Sequence, residues 1–185
     1  MKVRTTRLPG VLVVEPDVYG DERGYFLETY QAEKYRAHGI EATFVQDNHS
    51  FSRRGALRGL HVQYRRPQGK LIRVVEGAVF DVVADIRPGS PSAGRWFGLR
   101  IDGSTHHQIY VPPGYAHGFC VLSETVHFEY KCTDYYDSGG ELTVAWDDPV
   151  LGIDWPIDRP TLSEKDRRGL SLAEASAFLE APPPP

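Results

Sequence analysis

Along the chain, apolar residues fall in short alternating or near-continuous runs separated by turn residues, and helical periodicity is sparse. KLIRVVEGAVFDVVADI (70–86) holds two β-rich runs around Glu76-Gly77 and predicts a hairpin. HQIYVPPGYAHGFCVLSETVHFEYKCTDYY (107–136) predicts more strands, interrupted at Pro112-Pro113-Gly114 and at Ser123-Glu124; TVAW (143–146) predicts another short one. Two segments carry a helical pattern. TYQAEKYRAHGI (29–40) ends at Gly39, a stop signal, and SLAEASAFLE (171–180) opens with the Ser171…Glu174 spacing of a capping box. Many short strands, regular turns and few helices point to an all-β sandwich or barrel of antiparallel sheets. Residues 1–180 are expected to form one domain, without internal repeats, and the Pro-rich end 181–185 a disordered tail.

One predicted strand breaks the pattern. GALRGLHVQ (55–63) has apolar residues at 57, 60 and 62 but carries Arg58 and His61, which need partners if buried. Strict alternation places these two on opposite faces. Either Gly59 marks a bulge that re-aims one of them, or they serve different surroundings.

Composition narrows the function classes. A chain of 185 residues suits one domain with a real core, and 41% hydrophobic with 25% charged residues is ordinary for a water-exposed globular protein. A net charge of −4 argues against a general nucleic-acid binder. No apolar run approaches a membrane span, and VLVV (11–14) is too short for a signal-peptide core. Cys120 and Cys132 make no disulfide framework, so a reduced cytoplasmic location is expected.

Seven histidines raise the question of a metal. His61-x-Gln63 followed by PPGYAH (112–117) is similar to the two histidine motifs of the cupin jelly roll. The cupin pattern supplies His-x-His, a glutamate and a further His. Here Gln63 stands at the second ligand position and RRPQGK, ending in Lys70, stands where the glutamate belongs. Two histidines beside an ammonium make a poor divalent-cation site, so no metal and no cofactor are expected. His106 and His107, beside a turn, are expected to be solvated.

The ordered set DERGYFLE (21–28), FVQDNHS (44–50), GALRGLHVQ, QGKLIRVVEGAVFDVVADIR, VPPGYAHGFCVLSE, YKCTDYY, WDDPVLGIDWP and LSEKD resembles the dTDP-4-dehydrorhamnose 3,5-epimerases. These are cupin jelly-roll enzymes of dTDP-L-rhamnose synthesis, and the likeness runs from about residue 10 to about residue 170. Two positions depart from that family's pattern: Val62 replaces its Tyr, and Tyr110-Val111 replaces its Trp-containing turn. The resemblance implies a homodimer acting on a dTDP-4-keto-6-deoxy sugar.

Epimerising a carbon beside a ketone needs a base on one face, an acid on the other and a donor for the enolate oxygen. A histidine such as His61 suits the base, because its ordinary pKa of about 6.5 lies near working pH. The resemblance makes Asp166 the carboxylate behind it, Tyr130 the acid and Lys70 the residue facing the C4 carbonyl. It also implies that Arg23 and Arg58 hold the diphosphate, that Glu28, Gln46, Asp47 and Asn48 contact nucleotide or substrate, and that Tyr136 stacks on thymine. His117, Glu141 and Lys165 match further substrate-side positions. Plainer readings stand beside these. Asp166 completes Ser163-x-x-Asp166, the spacing of a helix cap; Arg23 and Glu28 fit a surface pair; Tyr130 fits a core and Lys70 a solvated strand start. Three alternatives to the bifunctional epimerase remain: an enzyme inverting only C3 or only C5, a metal-dependent cupin oxygenase, and a cupin that binds a nucleotide sugar without catalysis.

Overall fold

The computed structural model describes residues 1–180; the predicted Pro-rich tail, 181–185, lies outside the described residues. Thirteen strands and three short helices follow one another along the described chain. They are β1 (Lys2–Thr5), β2 (Leu12–Glu15), β3 (Val18–Asp21), β4 (Gly24–Leu27), α1 (Ala32–Arg36), β5 (Gln46–Arg53), β6 (Leu57–Gln63) and β7 (Lys70–Glu76). Then come β8 (Ala78–Ala84), β9 (Trp96–Asp102), β10 (Gln108–Val111), β11 (Ala116–Val121), β12 (Thr125–Cys132), β13 (Glu141–Thr143), α2 (Glu164–Arg167) and α3 (Leu172–Glu180).

Two antiparallel sheets face each other, in the orders β1-β2-β10-β7-β12-β5 and β13-β6-β11-β8-β9, as in the cupin jelly roll expected from sequence. Between them lies an apolar core in which Ile72, Val74, Ile109 and Phe128 of the first sheet meet Val79, Val83, Phe119 and Val121 of the second. The outer face of the second sheet buries Leu57, Leu60, Val62 and Leu142 under Leu151, Trp155 and Ala175 of the C-terminal segment. The first sheet's outer face packs Val14 and Leu71 against Tyr35 and Ile40.

Both predicted helices form, the first shortened. Gly39, at φ 86°, ends α1 through a Schellman arrangement, in which the Ile40 amide donates to Tyr35 O and the Gly39 amide to Arg36 O, each at 3.0 Å. Ser171 and Glu174 form the reciprocal capping box of α3: the Ser171 amide donates to Glu174 Oε2 at 2.8 Å and the Glu174 amide to Ser171 Oγ at 3.2 Å. The 70–86 hairpin does not form. β7 and β8 belong to different sheets, so the chain turns a corner at Gly77 instead of doubling back. Gly77 sits at φ 88°, and a Cβ there would overlap the Thr125 carbonyl oxygen, so the single residue between the strands works as a bend between layers. The strand predicted at 143–146 lies two residues earlier, as β13, with Val144 adding an isolated bridge to Leu170.

Candidate active site

The Arg58–His61 puzzle resolves as a bulge. β6 pairs with β11 so that His61 faces His117 and Arg58 faces Phe119, which fits three steps of β6 against two of β11. The extra residue turns Arg58 and His61 to the same face, His61 half-buried and Arg58 exposed, while Leu57, Leu60 and Val62 point into the outer core. Gly59 makes this possible. Its φ is 124°, and a Cβ would stand 2.6 Å from Gly118 Cα and 2.8 Å from His117 O.

Both side chains line a cavity of about 290 Å³ between the sheets, together with Lys70, His117, Tyr130, Tyr136, Glu141 and Lys165. Eight sequence-predicted site residues therefore share one space. Ser50, Phe119 and Phe128 also line it and were not anticipated. Ser50 had a legible signal, since it follows Asn48 by two residues and so shares its face of the strand.

Behind His61, its Nε2 donates to Asp166 Oδ1 at 2.6 Å. The chain brings Asp166 there by running beside β6: the Leu57 amide donates to Thr161 O at 3.0 Å and the Thr161 amide to Gly55 O at 2.8 Å. Both sequence readings of Asp166 are present in one place. Its amide donates to Ser163 Oγ at 3.1 Å as in a helix cap, and the Ser163 hydroxyl donates to Asp166 Oδ2 at 2.7 Å. Burial raises the Asp166 pKa, but the hydrogen bonds from His61 and Ser163 outweigh it and hold the carboxyl below its ordinary value. His61 is thus backed by a carboxylate, held below its ordinary pKa, that fixes the ring proton on Nε2.

Glu141 joins the other side of the pocket. Its Oε2 accepts from Tyr136 OH and from Lys165 Nζ, each at 2.9 Å, and its Oε1 lies 3.8 Å from His61 Nδ1. Burial again acts upward, but Lys165 and His61 prevail and lower the Glu141 pKa. The bond to Glu141 raises the Tyr136 phenol.

Lys70 opens β7 and lies with its Nζ 5.9 Å from the Tyr130 ring centroid. It is only partly exposed, and the protein around it lowers its pKa through desolvation. Burial pushes Tyr130 the other way, up to about 12. The phenol keeps its proton, and the ammonium sits where a negative oxygen would relieve its lost hydration. Arg58 is held in place: Nε donates to Ser52 Oγ at 3.0 Å and a terminal nitrogen to Phe51 O at 3.3 Å.

Other expected residues fall elsewhere. Gln46 and Asn48 point inward from β5, and Gln46 Oε1 accepts the Tyr136 amide at 3.0 Å. Asp47 does not join them. It points to the outer face and pairs with Lys131 at 2.9 Å, because neighbours in a strand take opposite sides. Arg23 sits at the turn of the β3–β4 hairpin, bound to Asp21, with a side chain 85% exposed. Glu28 pairs with Lys34 at 2.8 Å. Neither lines the cavity. Val62 and Tyr110 also face away from it, into the two outer cores, so their departures from the resemblance are changes of packing.

A family profile described as dTDP-4-dehydrorhamnose 3,5-epimerase matches residues 5–174. The chain belongs to this family. A dTDP-4-dehydrorhamnose 3,5-epimerase from Pseudomonas aeruginosa is 49% identical over 180 residues, covering 96% of this chain and 99% of that one. A dTDP-6-deoxy-D-glucose-3,5-epimerase from Legionella pneumophila, solved with dTDP-4-keto-L-rhamnose, superposes with a TM-score of 0.93 at 46% identity and 96% coverage of both chains. A dTDP-4-dehydrorhamnose 3-epimerase from Streptomyces niveus is 40% identical over 177 residues, covering 95% of this chain and 86% of that one. This epimerase family is a family of isomerases, and no described helix is long and apolar enough to cross a membrane.

Proposed function

We propose that the protein epimerises C3 and C5 of dTDP-4-dehydro-6-deoxy-D-glucose to give dTDP-4-dehydro-L-rhamnose. The observation that carries this is the joining of the His61–Asp166 pair, Lys70 and Tyr130 around one cavity. His61 takes the proton from a carbon next to the C4 ketone; the C–H electron pair moves into an enolate whose oxygen faces Lys70. Tyr130 then gives its hydroxyl proton to that carbon from the other side, and solvent restores both groups. Lys70 binds the enolate better than the neutral ketone, so its charge lowers the barrier instead of merely tightening binding. Arg58 holds the diphosphate with a guanidinium already fixed in position, Tyr136 stacks on thymine, and Gln46, Asn48, Glu141 and Lys165 line the nucleotide-sugar path.

The donor set does not suit a divalent metal. His61 is committed to Asp166, Gln63 Oε1 accepts the Asp137 amide at 3.2 Å, and Lys70 brings positive charge to the same space. Activity therefore survives chelator treatment; loss with EDTA and recovery with a divalent ion would point to the oxygenase reading.

The working unit is a homodimer in this reading. The β3–β4 hairpin leaves Tyr19, Tyr25 and Phe26 at 64%, 59% and 69% exposure, an apolar surface that a second copy would cover. The same contact would carry Arg23 and Glu28 to a diphosphate that their own chain does not offer them. Two free buried cysteines and a nucleotide-sugar substrate fit work in the cytoplasm.

Incubation with dTDP-4-keto-6-deoxyglucose in heavy water tests the whole reading. Deuterium at both C3 and C5 is expected; label at one carbon makes the enzyme a single-site epimerase, and none overturns the proposal.

A further inference from the structure

Asp81 stands in the middle of β8, fully buried, opposite Phe119 of β11 and Leu99 of β9. Its Oδ2 accepts from His117 Nε2 at 2.8 Å, while its Oδ1 has no hydrogen-bond partner among the described residues. A buried carboxylate oxygen left unpaired is costly, and native structures seldom keep one without a use. The contrast with neighbouring carboxylates is direct. Asp166 satisfies both oxygens, and Asp85 at the end of the same strand segment receives Arg87, Ser90 and Ser92. An apolar side chain at position 81 would pack among these neighbours without that penalty.

We propose that Asp81 is a positioning residue for His117, making His117–Asp81 a second imidazole–carboxylate pair that faces His61–Asp166 across the β6–β11 strand pair. The registers place His117 opposite His61, and both rings line the cavity. His117 gives Nε2 to Asp81, and its ring lies against Phe128 at 6.3 Å with an interplanar angle of 23°. Nδ1 is thereby left for the substrate. The bond to Asp81 keeps the ring proton on Nε2, so Nδ1 carries a lone pair. His117 then offers that lone pair to a substrate hydroxyl in the cavity that Lys70 also lines. Asp81 does not touch substrate; it fixes which nitrogen of His117 does.

This rests on the epimerase reading, so the test has one arm that needs no activity. In the intact wild-type enzyme, ¹⁵N NMR of neutral His117 is expected to show the proton on Nε2; a proton on Nδ1 overturns the proposal even if the enzyme is a working epimerase. In the second arm, Asp81→Asn keeps size and shape, and kcat is expected to fall about 10- to 100-fold with KM changed much less, as when an outer partner of a functional histidine is lost. The same substitution made on top of His117→Gln is expected to cost almost nothing more. Wild-type kcat in Asp81→Asn, or a full additional loss in the double variant, shows that Asp81 does not act through His117.

Discussion

The cavity and the β3–β4 hairpin carry matching kinds of chemistry in opposite conditions. Arg58 and Arg23 are both expected at a diphosphate. Arg58, though exposed, is braced by Ser52 and the Phe51 carbonyl at the cavity it lines, whereas Arg23 waves from a turn with Asp21 as its sole side-chain partner among the described residues. Around Arg58, the side chains of His61, Tyr136, Glu141 and Lys165 are hydrogen-bonded within their own chain; around Arg23 the neighbouring Tyr25 and Phe26 are exposed apolar surface. A residue's pre-organisation thus separates parts of the site that are complete in one protomer from parts that await a second surface.

The largest effect should come from the complete region. His61→Asn is expected to cut epimerisation by at least about 10²–10⁴-fold and to stop exchange of the sugar protons with heavy water, because no enolate forms. Tyr130→Phe should lose inversion but keep exchange, with His61 returning a solvent-derived proton to the face it came from. Wild-type exchange in His61→Asn with stereochemistry retained would assign the base to another group.

The hairpin should fail differently. Replacing Tyr25 and Phe26 together by serine should shift the protein toward monomer in sedimentation and make activity per protomer fall on dilution. Arg23→Ala should raise KM by about 10-fold or more, given ~1.5–3 kcal/mol for a hydrogen bond to a charged group, while exchange chemistry persists. A monomer with undiminished activity would mean that the hairpin serves neither assembly nor substrate.

Tyr136 lies between the two cases, in the cavity yet about half exposed. Tyr136→Ala should weaken dTDP binding about 5-fold, the lower end of the ~1–3 kcal/mol typical of base stacking. Tyr136→Phe, which keeps the ring and drops the bond to Glu141, should bind nearly as wild type. Equal losses in both would place the value of Tyr136 in its hydroxyl.

Much of this division was legible in the sequence, and the misses have physical causes. The resemblance groups Asp47 with Gln46 and Asn48, but period-two alternation sets it on the opposite face, and the structure follows the alternation. β5 escaped a pattern search because both its faces are polar: Gln46, Asn48 and Ser50 turn inward toward the site, Asp47 and His49 outward. The misread 70–86 hairpin shows the limit of local signals. A Glu-Gly step between apolar runs looks like a turn, but the near-continuous burial of β8 marks a strand covered on both faces by other strands and layers. Asp81 puts a charge inside the apolar run VFDVV, a signal that the hairpin reading passed over. What no pattern revealed was the path of the chain after β13, which brings Asp166 behind His61 through 105 residues of sequence separation.

The smallest effect tests whether Ser163 is only a helix cap. Its hydroxyl accepts the Asp166 amide and donates to Asp166 Oδ2, so Ser163→Ala removes both contacts. The cap alone should cost about 1 kcal/mol, or roughly 2–4 °C in Tm for a domain of this size. The second contact adds a pH dependence whose sign is fixed. The Asp166 pKa is lowered in the folded protein, so its contribution is complete above the unfolded value of about 3.9 and disappears as pH falls through the folded value. Loss of the Ser163 donor moves the folded pKa upward and shrinks that contribution. The Tm difference between wild type and Ser163→Ala should therefore be widest at neutral pH and narrow below about pH 3.9, leaving the part due to the cap. A gap that stays constant across the titration would show that the hydroxyl caps α2 without holding the carboxylate charge, and that His61 alone keeps Asp166 ionised.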